Sequence, residues 1–310
     1  YKRFMLYLRH MKDTAPLIRF RDVSFTWPDP DTGELPLKAD GTSAKPVFDA
    51  FTADIPHGFI SLTGPNGSGK STFMLLAGAR VMPQAGRVEL LGQNTRVLSG
   101  AWADDSGTPG QGLTPEVEHR RNLACSFIYQ NMEFETNDGD SSSVGNLLEY
   151  VYVSGGHRSK DEGFLNDVLE AFELGELRSR GLSALSKGES QRVLLAFSAL
   201  YGSRVIMMDE PVFAMEPRQK ERALEFFGDM YRRSGVSILV SLHELSLTRK
   251  YADTVMLFHP DRTIDLGTPE EVLVPEALEA AYGVPSAMLY DTECLSRKVM
   301  LEQDQANRDR

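Results

Sequence analysis

The sequence predicts an α/β fold: a mainly parallel sheet, a small antiparallel β subdomain ahead of it, and a helical subdomain inserted into it. Three observations carry this. Val205–Met208, 237–242 and Thr254–Phe258 are near-continuous apolar runs, as parallel strands covered on both faces require, with helical stretches at 218–233 and 244–251 between them. Residues 17–25 instead alternate apolar and polar side chains, which fits an antiparallel strand with one wet face. From 144 to 180 the periodicity is helical, clearest over 144–153 and 163–172, and offers no strand.

The other elements follow in chain order. Residues 1–12 carry Lys2, Arg3, Arg9 and Lys12 without an acid, and Phe4, Met5, Leu8 and Met11 fall at helical spacing. This stretch heads an N-terminal extension, 1–16, read as frayed, with a basic amphipathic helix as the sharper alternative. Residues 28–46, rich in Pro, Asp, Gly and Lys, predict a long surface loop or a β-excursion. Strand character resumes over 47–55, turns at Pro56-His57-Gly58 and re-enters at Phe59. A helix is expected over 71–80, a turn at 83–86 and a strand at 87–91. A second insertion, 99–121, reads as irregular apart from a short helix at 115–121. A strand over 124–129 leads to Gln130, and the polar loop 136–143 lacks calcium-loop spacing. An edge strand at 262–266 and short helices at 270–274 and 275–282 close the pattern. Charged, Gln- and Asn-rich residues beyond Leu295 predict a frayed end.

Composition narrows the function. Apolar content of 41% with 25% charged residues is ordinary for a globular chain with a sizeable core. A net charge of −11 argues against a general nucleic-acid binder, which would present a basic face. Cys125 and Cys294 form no C-x-x-C pair and read as free thiols. No apolar run approaches the ~20 residues of a membrane-spanning helix, so any spanning part is expected on another chain.

Gly64-Pro65-Asn66-Gly67-Ser68-Gly69-Lys70-Ser71, followed by Thr72, fills the pattern G-x-x-x-x-G-K-[ST] between an apolar strand and a helix. Glycines let the backbone fold into a nest whose N–H groups face phosphate oxygens, and the new helix adds the positive end of its dipole. Lys70 is placed to reach the β- and γ-phosphates and Ser71 to help hold Mg²⁺. Val205–Met208 ends in Asp209-Glu210-Pro211. At a strand's carboxyl end, Asp209 can bind a Mg²⁺ water and Glu210 can act as general base toward the attacking water. Leu185-Ser186-Lys187-Gly188-Glu189-Ser190-Gln191-Arg192 opens a helix expected at 189–201. It reads either as an ordinary N-cap by Ser186 or as a second anion site, which makes sense if two copies pair head to tail.

Taken in order, the phosphate loop, Gln130 after a strand, the 185–192 stretch, 205–211 and Ser241-Leu242-His243 resemble the nucleotide-binding domain of an ABC (ATP-binding cassette) ATPase. The resemblance covers roughly residues 17–267, with the helical subdomain at about 131–187 and a helical tail at 268–310. It implies a P-loop NTPase fold with a RecA-like core that binds ATP and Mg²⁺. It also implies an ATPase coupled to transport, held peripherally at the cytoplasmic face of a membrane by separate transmembrane permease subunits. By position, Trp27 matches the aromatic that stacks on adenine, Gln130 the glutamine that senses Mg²⁺ and links the site to the permease, and His243 the switch histidine at the γ-phosphate. Ser186 and Gly188 match the signature residues that contact ATP on the opposite protomer. The tail, Gly267-Thr268-Pro269-Glu270-Glu271-Val272-Leu273 with Ala281-Tyr282-Gly283-Val284-Pro285, is similar to tails of ATPases from importers of iron–siderophore, haem or cobalamin.

Three positions depart from the family pattern: Lys187 where Gly is usual, Glu189 where Gln is common, and Glu216 where a dimer-contact loop carries Asp. The two long insertions are unlike a compact importer ATPase. Lipid or efflux transport, a soluble role such as metal-cluster assembly, and a nucleotide-sensing subunit therefore stand as alternatives to import.

Overall fold

The computed structural model describes residues 15–36, 45–134, 143–157 and 161–308. In chain order these form β1 (Ile18–Phe25), β2 (Phe48–Ile55), β3 (Phe59–Thr63), α1 (Lys70–Ala77), β4 (Ala85–Leu90), β5 (Gln93–Asn94) and α2 (Thr95–Leu98). Next come α3 (Pro115–Ala124), β6 (Cys125–Ile128), α4 (Val144–Ser154), α5 (Glu162–Ala171), α6 (Lys187–Leu200) and β7 (Val205–Met208). The remainder is α7 (Pro217–Ser234), β8 (Ser237–Ser241), α8 (Leu245–Tyr251), β9 (Thr254–Phe258), β10 (Ile264–Gly267), α9 (Pro269–Val272), α10 (Pro275–Tyr282) and α11 (Ser286–Arg308). The chain divides into two compact units: the described residues up to His57 with Ser71–Arg121, and Gly58–Lys70 with the described residues from Asn122 onward.

The first unit holds an antiparallel sheet of order β2-β1-β4-β5. Alternation in β1 buries Ile18, Phe20, Val23 and Phe25 on one face. Phe73 of α1 stacks on Phe20 at 4.8 Å and meets Phe51 edge-on, so an aromatic cluster ties helix to sheet. A register shift in β1 coincides with Asp22 at φ 50°. Opposite it, a Cβ on Gly86 would lie 2.3 Å from the Asp22 carbonyl oxygen, so only glycine allows this approach.

The second unit is built on a sheet of order β10-β9-β3-β8-β7-β6. Its strands run parallel except β10, which pairs antiparallel with β9 at the edge. Every residue of β3, β6, β7, β8 and β9 is buried, as the unbroken apolar runs predict. Leu148, Val168, Phe172, Val193 and Phe227, from α4 to α7, share one apolar core with Ile206 and Val240 of the sheet.

The expected elements are present with ends shifted by a few residues. The second insertion holds α3 and an isolated bridge between Trp102 and Pro109, and its helix continues to Ala124. The fraying expected beyond Leu295 is not what the structure shows. α11 runs through Arg308, carried by a helix-forming sequence whose first turns, at Leu289 and Tyr290, pack on a satellite core with Leu245, Leu278 and Ala281. The amphipathic stretch 1–12, the middle of the 28–46 loop and most of the 136–143 loop lie outside the described residues.

Candidate functional site

Strand register assembles the site in the second unit. Leu62 is level with Ser241, Val240 with Met208, and Met208 with Ile128. The carboxyl ends of β3, β8, β7 and β6 therefore share one edge of the sheet, where ligands of open parallel sheets bind. The residues that follow them are Gly64, His243, Asp209-Glu210 and Gln130.

The phosphate loop leaves β3 at Gly64, whose φ is +134°, and Gly67 and Gly69 are at +74° and +112°. A Cβ on Gly64 would meet the Phe258 carbonyl oxygen at 2.4 Å, so β9 backs directly onto the loop and requires glycine there. Lys70 Nζ donates to the Gly64 and Pro65 carbonyls at 2.7 and 3.0 Å, bridging the loop from its helix end. Burial lowers the Lys70 pKa, and the negative charges of Glu210 and Asp209 oppose that shift. Ser68 Oγ is buried with no hydrogen-bond partner. Its hydroxyl is therefore free to donate to a ligand's acceptor.

Glu210 is the hub. The Gln130 amide donates to its Oε2 at 2.9 Å, and His243 Nε2 lies 2.7 Å from its Oε1. Its φ of 50° is a left-handed conformation uncommon outside glycine, held because the Glu210 N–H donates to Ser241 Oγ at 2.7 Å. Ser241 Oγ in turn donates to Asp209 Oδ1 at 2.6 Å. One buried hydroxyl thus ties the Glu210 backbone to the Asp209 carboxylate. Replacing Ser241 with Ala is expected to cost about 1–3 kcal/mol, because a buried N–H and a carboxylate oxygen lose their partner. Denaturant midpoints of the two proteins measure this.

Two more contacts brace the loop. Tyr282 Oη, on α10, accepts from the Gly64 N–H and lies within 3.0 Å of Thr63 Oγ1. Arg262 Nη1 donates to the Gly67 carbonyl at 2.6 Å. Sequence reasoning missed Ser241, Tyr282 and Arg262 as site residues. A serine closing the apolar run 238–240 was the available signal for Ser241; the other two carry none, since only the fold brings them to the loop.

In the first unit, Trp27 is 43% exposed, meets Phe25 edge-on at 5.0 Å and donates from Nε1 to Thr72 Oγ1 at 3.0 Å. This places an open indole beside the residue that follows Ser71.

Ser186 and Gly188 take no part in the hydrogen bonds that join Gln130, Asp209, Glu210 and His243. Ser186 is the N-cap of α6: its Oγ accepts from the Glu189 N–H at 3.3 Å, and Glu189 Oε2 accepts from the Ser186 N–H at 2.8 Å. These bonds hold the Glu189 carboxyl below its ordinary range. The Glu at this position therefore completes a capping box. Lys187 Nζ donates to Asn131 Oδ1 at 3.2 Å, beside Gln130 in the chain.

A family model described as ABC transporter matches residues 50–213. The hemin import ATP-binding protein HmuV of Pseudomonas entomophila is 32% identical over 234 residues, covering 74% of this chain and 83% of the relative. The chain belongs to the ABC transporter family. It is an ATP-binding subunit and ATPase of that family. The cobalamin import ATP-binding protein BtuD of Halobacterium salinarum is 25% identical over 253 residues; these cover 81% of this chain and 58% of the relative's length. Among solved structures, a dimeric ATP-binding cassette in a post-hydrolysis state, bound to ADP and Pi, superposes with a TM-score of 0.60 at 19% identity, covering 81% of this chain and 98% of that one. That likeness bears on the fold.

Proposed function

We propose that the chain powers import of a metal chelate of the haem or cobalamin kind, as the ATP-hydrolysing subunit at the cytoplasmic face of a membrane. It would act with separate permease subunits and a second ATPase copy. The observation that carries the hydrolytic part is Glu210, held between the Gln130 amide and His243 at a strand end beside the phosphate loop. Gly64, Asn66, Gly67, Ser68, Gly69, Lys70, Ser71 and Thr72 would cradle the phosphates and Trp27 would stack on the base. Glu210 would take the proton of the attacking water, and His243 would orient that carboxylate and meet the γ-phosphate.

Among the described residues no cluster of three or more His, Cys, Asp or Glu could hold a metal alone. That suits Mg²⁺, which keeps several waters and shares phosphate oxygens. Asp209 would hold it, with the Ser71 hydroxyl that follows Lys70, and Gln130 would sense it. When bound, Mg²⁺ would supply charge neutralisation at the phosphates. Ser186 and Gly188 would close the nucleotide site of the second copy, and Phe213, 67% exposed just past Glu210, supports a pairing face there.

Import through a partner is supported by the two relatives and by the lack, among the described residues, of any helix long and apolar enough to cross a membrane. Tyr150 and Val153, each 71% exposed three residues apart on α4, support a permease-facing surface. The test is co-expression with candidate permeases for each chelate, followed by reconstitution in vesicles. The expected result is co-purification, ATP hydrolysis stimulated by the permease, and chelate uptake. Hydrolysis indifferent to every permease, with no co-purification, would contradict import.

A further inference from the structure

The carboxyl-terminal helices reach the catalytic edge of the sheet at two places. Tyr282 of α10 holds the first N–H of the phosphate loop. Eleven residues later in the sequence, half-buried Glu293 of α11 presents both carboxylate oxygens to the segment that follows His243. Glu293 Oε1 accepts from the Leu245 N–H, and Oε2 accepts from the Ser246 N–H at 3.1 Å. The intervening Glu244 is fixed on another side, where its Oε1 takes Lys220 Nζ at 2.5 Å from within α7. His243 is therefore carried on a short segment whose next three residues are all tied down, two of them by α11.

We propose that Glu293 is a positioning residue for ATP hydrolysis, acting from the carboxyl-terminal helix through the 243–246 segment to hold His243 against Glu210. The inference rests on the ATPase reading of the Gln130–Glu210–His243 centre. One carboxylate gripping two successive N–H groups fixes the peptide plane between them, so the backbone leading away from His243 loses its freedom to turn. The His243–Glu210 contact of 2.7 Å depends on that backbone. The choice of an acid is otherwise unfavourable: burial, and the nearby negative charge of Glu244, push the Glu293 carboxyl up, against the two N–H bonds that pull it down. Tyr290, one turn earlier on α11, accepts from Arg249 Nη2 at 3.2 Å, and that guanidinium also donates to the Leu273 carbonyl, so the helix is anchored where Glu293 needs it.

The test compares Glu293→Ala and Glu293→Gln with the unaltered full-length chain, under whatever permease conditions give the unaltered chain its activity. The expected result for Glu293→Ala is a fall in kcat of about tenfold, short of the ~10²-fold that a 1 Å misplacement can cost, with KM for ATP unchanged. Glu293→Gln, which keeps the shape and one acceptor oxygen, is expected to fall in between. In a His243→Ala background, Glu293→Ala is expected to add nothing, because its effect passes through the histidine. Matching melting curves keep this separate from unfolding, and if Glu293→Ala does not fold, Glu293→Gln alone decides. A kcat equal to the unaltered chain's in the folded variants, or effects of Glu293 and His243 that multiply, would overturn the inference. An unaltered chain that hydrolyses no ATP would overturn the ATPase reading and the inference with it.

Discussion

Glu210→Gln is expected to stop ATP turnover while leaving ATP bound, with kcat falling about 10²–10⁴-fold, the range lost with a general base. The amide keeps the side chain's length, and its oxygen can still accept the Gln130 N–H that now reaches Glu210 Oε2. It cannot take a proton from water. Asp209 and Lys70 are untouched, so nucleotide affinity is expected to stay within a few-fold. If Ser186 and Gly188 close the partner's site, the blocked enzyme accumulates as an ATP-bound pair. Light scattering then gives twice the chain mass in Mg-ATP and the single mass without it. Turnover at the unaltered rate would remove Glu210 from the base role, and a single mass with turnover lost would count against head-to-tail pairing.

Lys70→Ala is expected to act earlier, on binding. The ammonium spans the loop between the Gly64 and Pro65 carbonyls, and its charge faces those of Asp209 and Glu210. Without it, a triphosphate approaches two carboxylates whose charge Lys70 no longer offsets, and the loop loses the strut from its helix end to the Gly64 and Pro65 carbonyls. Loss of a preorganised phosphate donor costs on the order of 10²–10³-fold in turnover, and a comparable weakening of ATP affinity is expected here. Titration calorimetry measures it directly. Unchanged affinity in a folded Lys70→Ala chain would contradict this use of the loop.

Much of the site was legible because its residues sit at strand ends, where an apolar run breaks abruptly into polar residues. Val205–Met208 followed by Asp209-Glu210 and the run ending at Ser241-Leu242-His243 are such breaks, and parallel register turns them into neighbours. The phosphate loop declared itself through glycines that its backbone angles require. What sequence could not show were contacts made across long chain separations without a local pattern. Tyr282 reads as the end of a short helix, Arg262 as the start of an edge strand and Glu293 as one acid in the 268–310 tail, yet all three touch the catalytic edge. The frayed-tail expectation failed for a related reason: charge suggested solvent, whereas the helix is seated by Leu289 and Tyr290 near its start. Ser186 carried two readings in the sequence, an N-cap and a signature serine. Its bond to the Glu189 N–H accounts for the cap within one chain.

The departures from the family pattern also acquire local explanations. Glu189 closes a capping box, and Lys187 reaches Asn131 beside Gln130. Glu216 sits at the start of α7, where its N–H donates to Gln219 Oε1 at 3.4 Å. None of these disturbs the hydrogen bonds around Glu210.

The most direct test of the composite site is the rate of ATP hydrolysis per chain as the chain's concentration is raised, with particle mass followed by light scattering in the same samples. If Lys70, Asp209, Glu210 and His243 of one copy need Ser186 and Gly188 of another, the rate per chain rises with concentration and levels off as pairs form. A constant rate per chain from particles that keep the mass of one chain would contradict it.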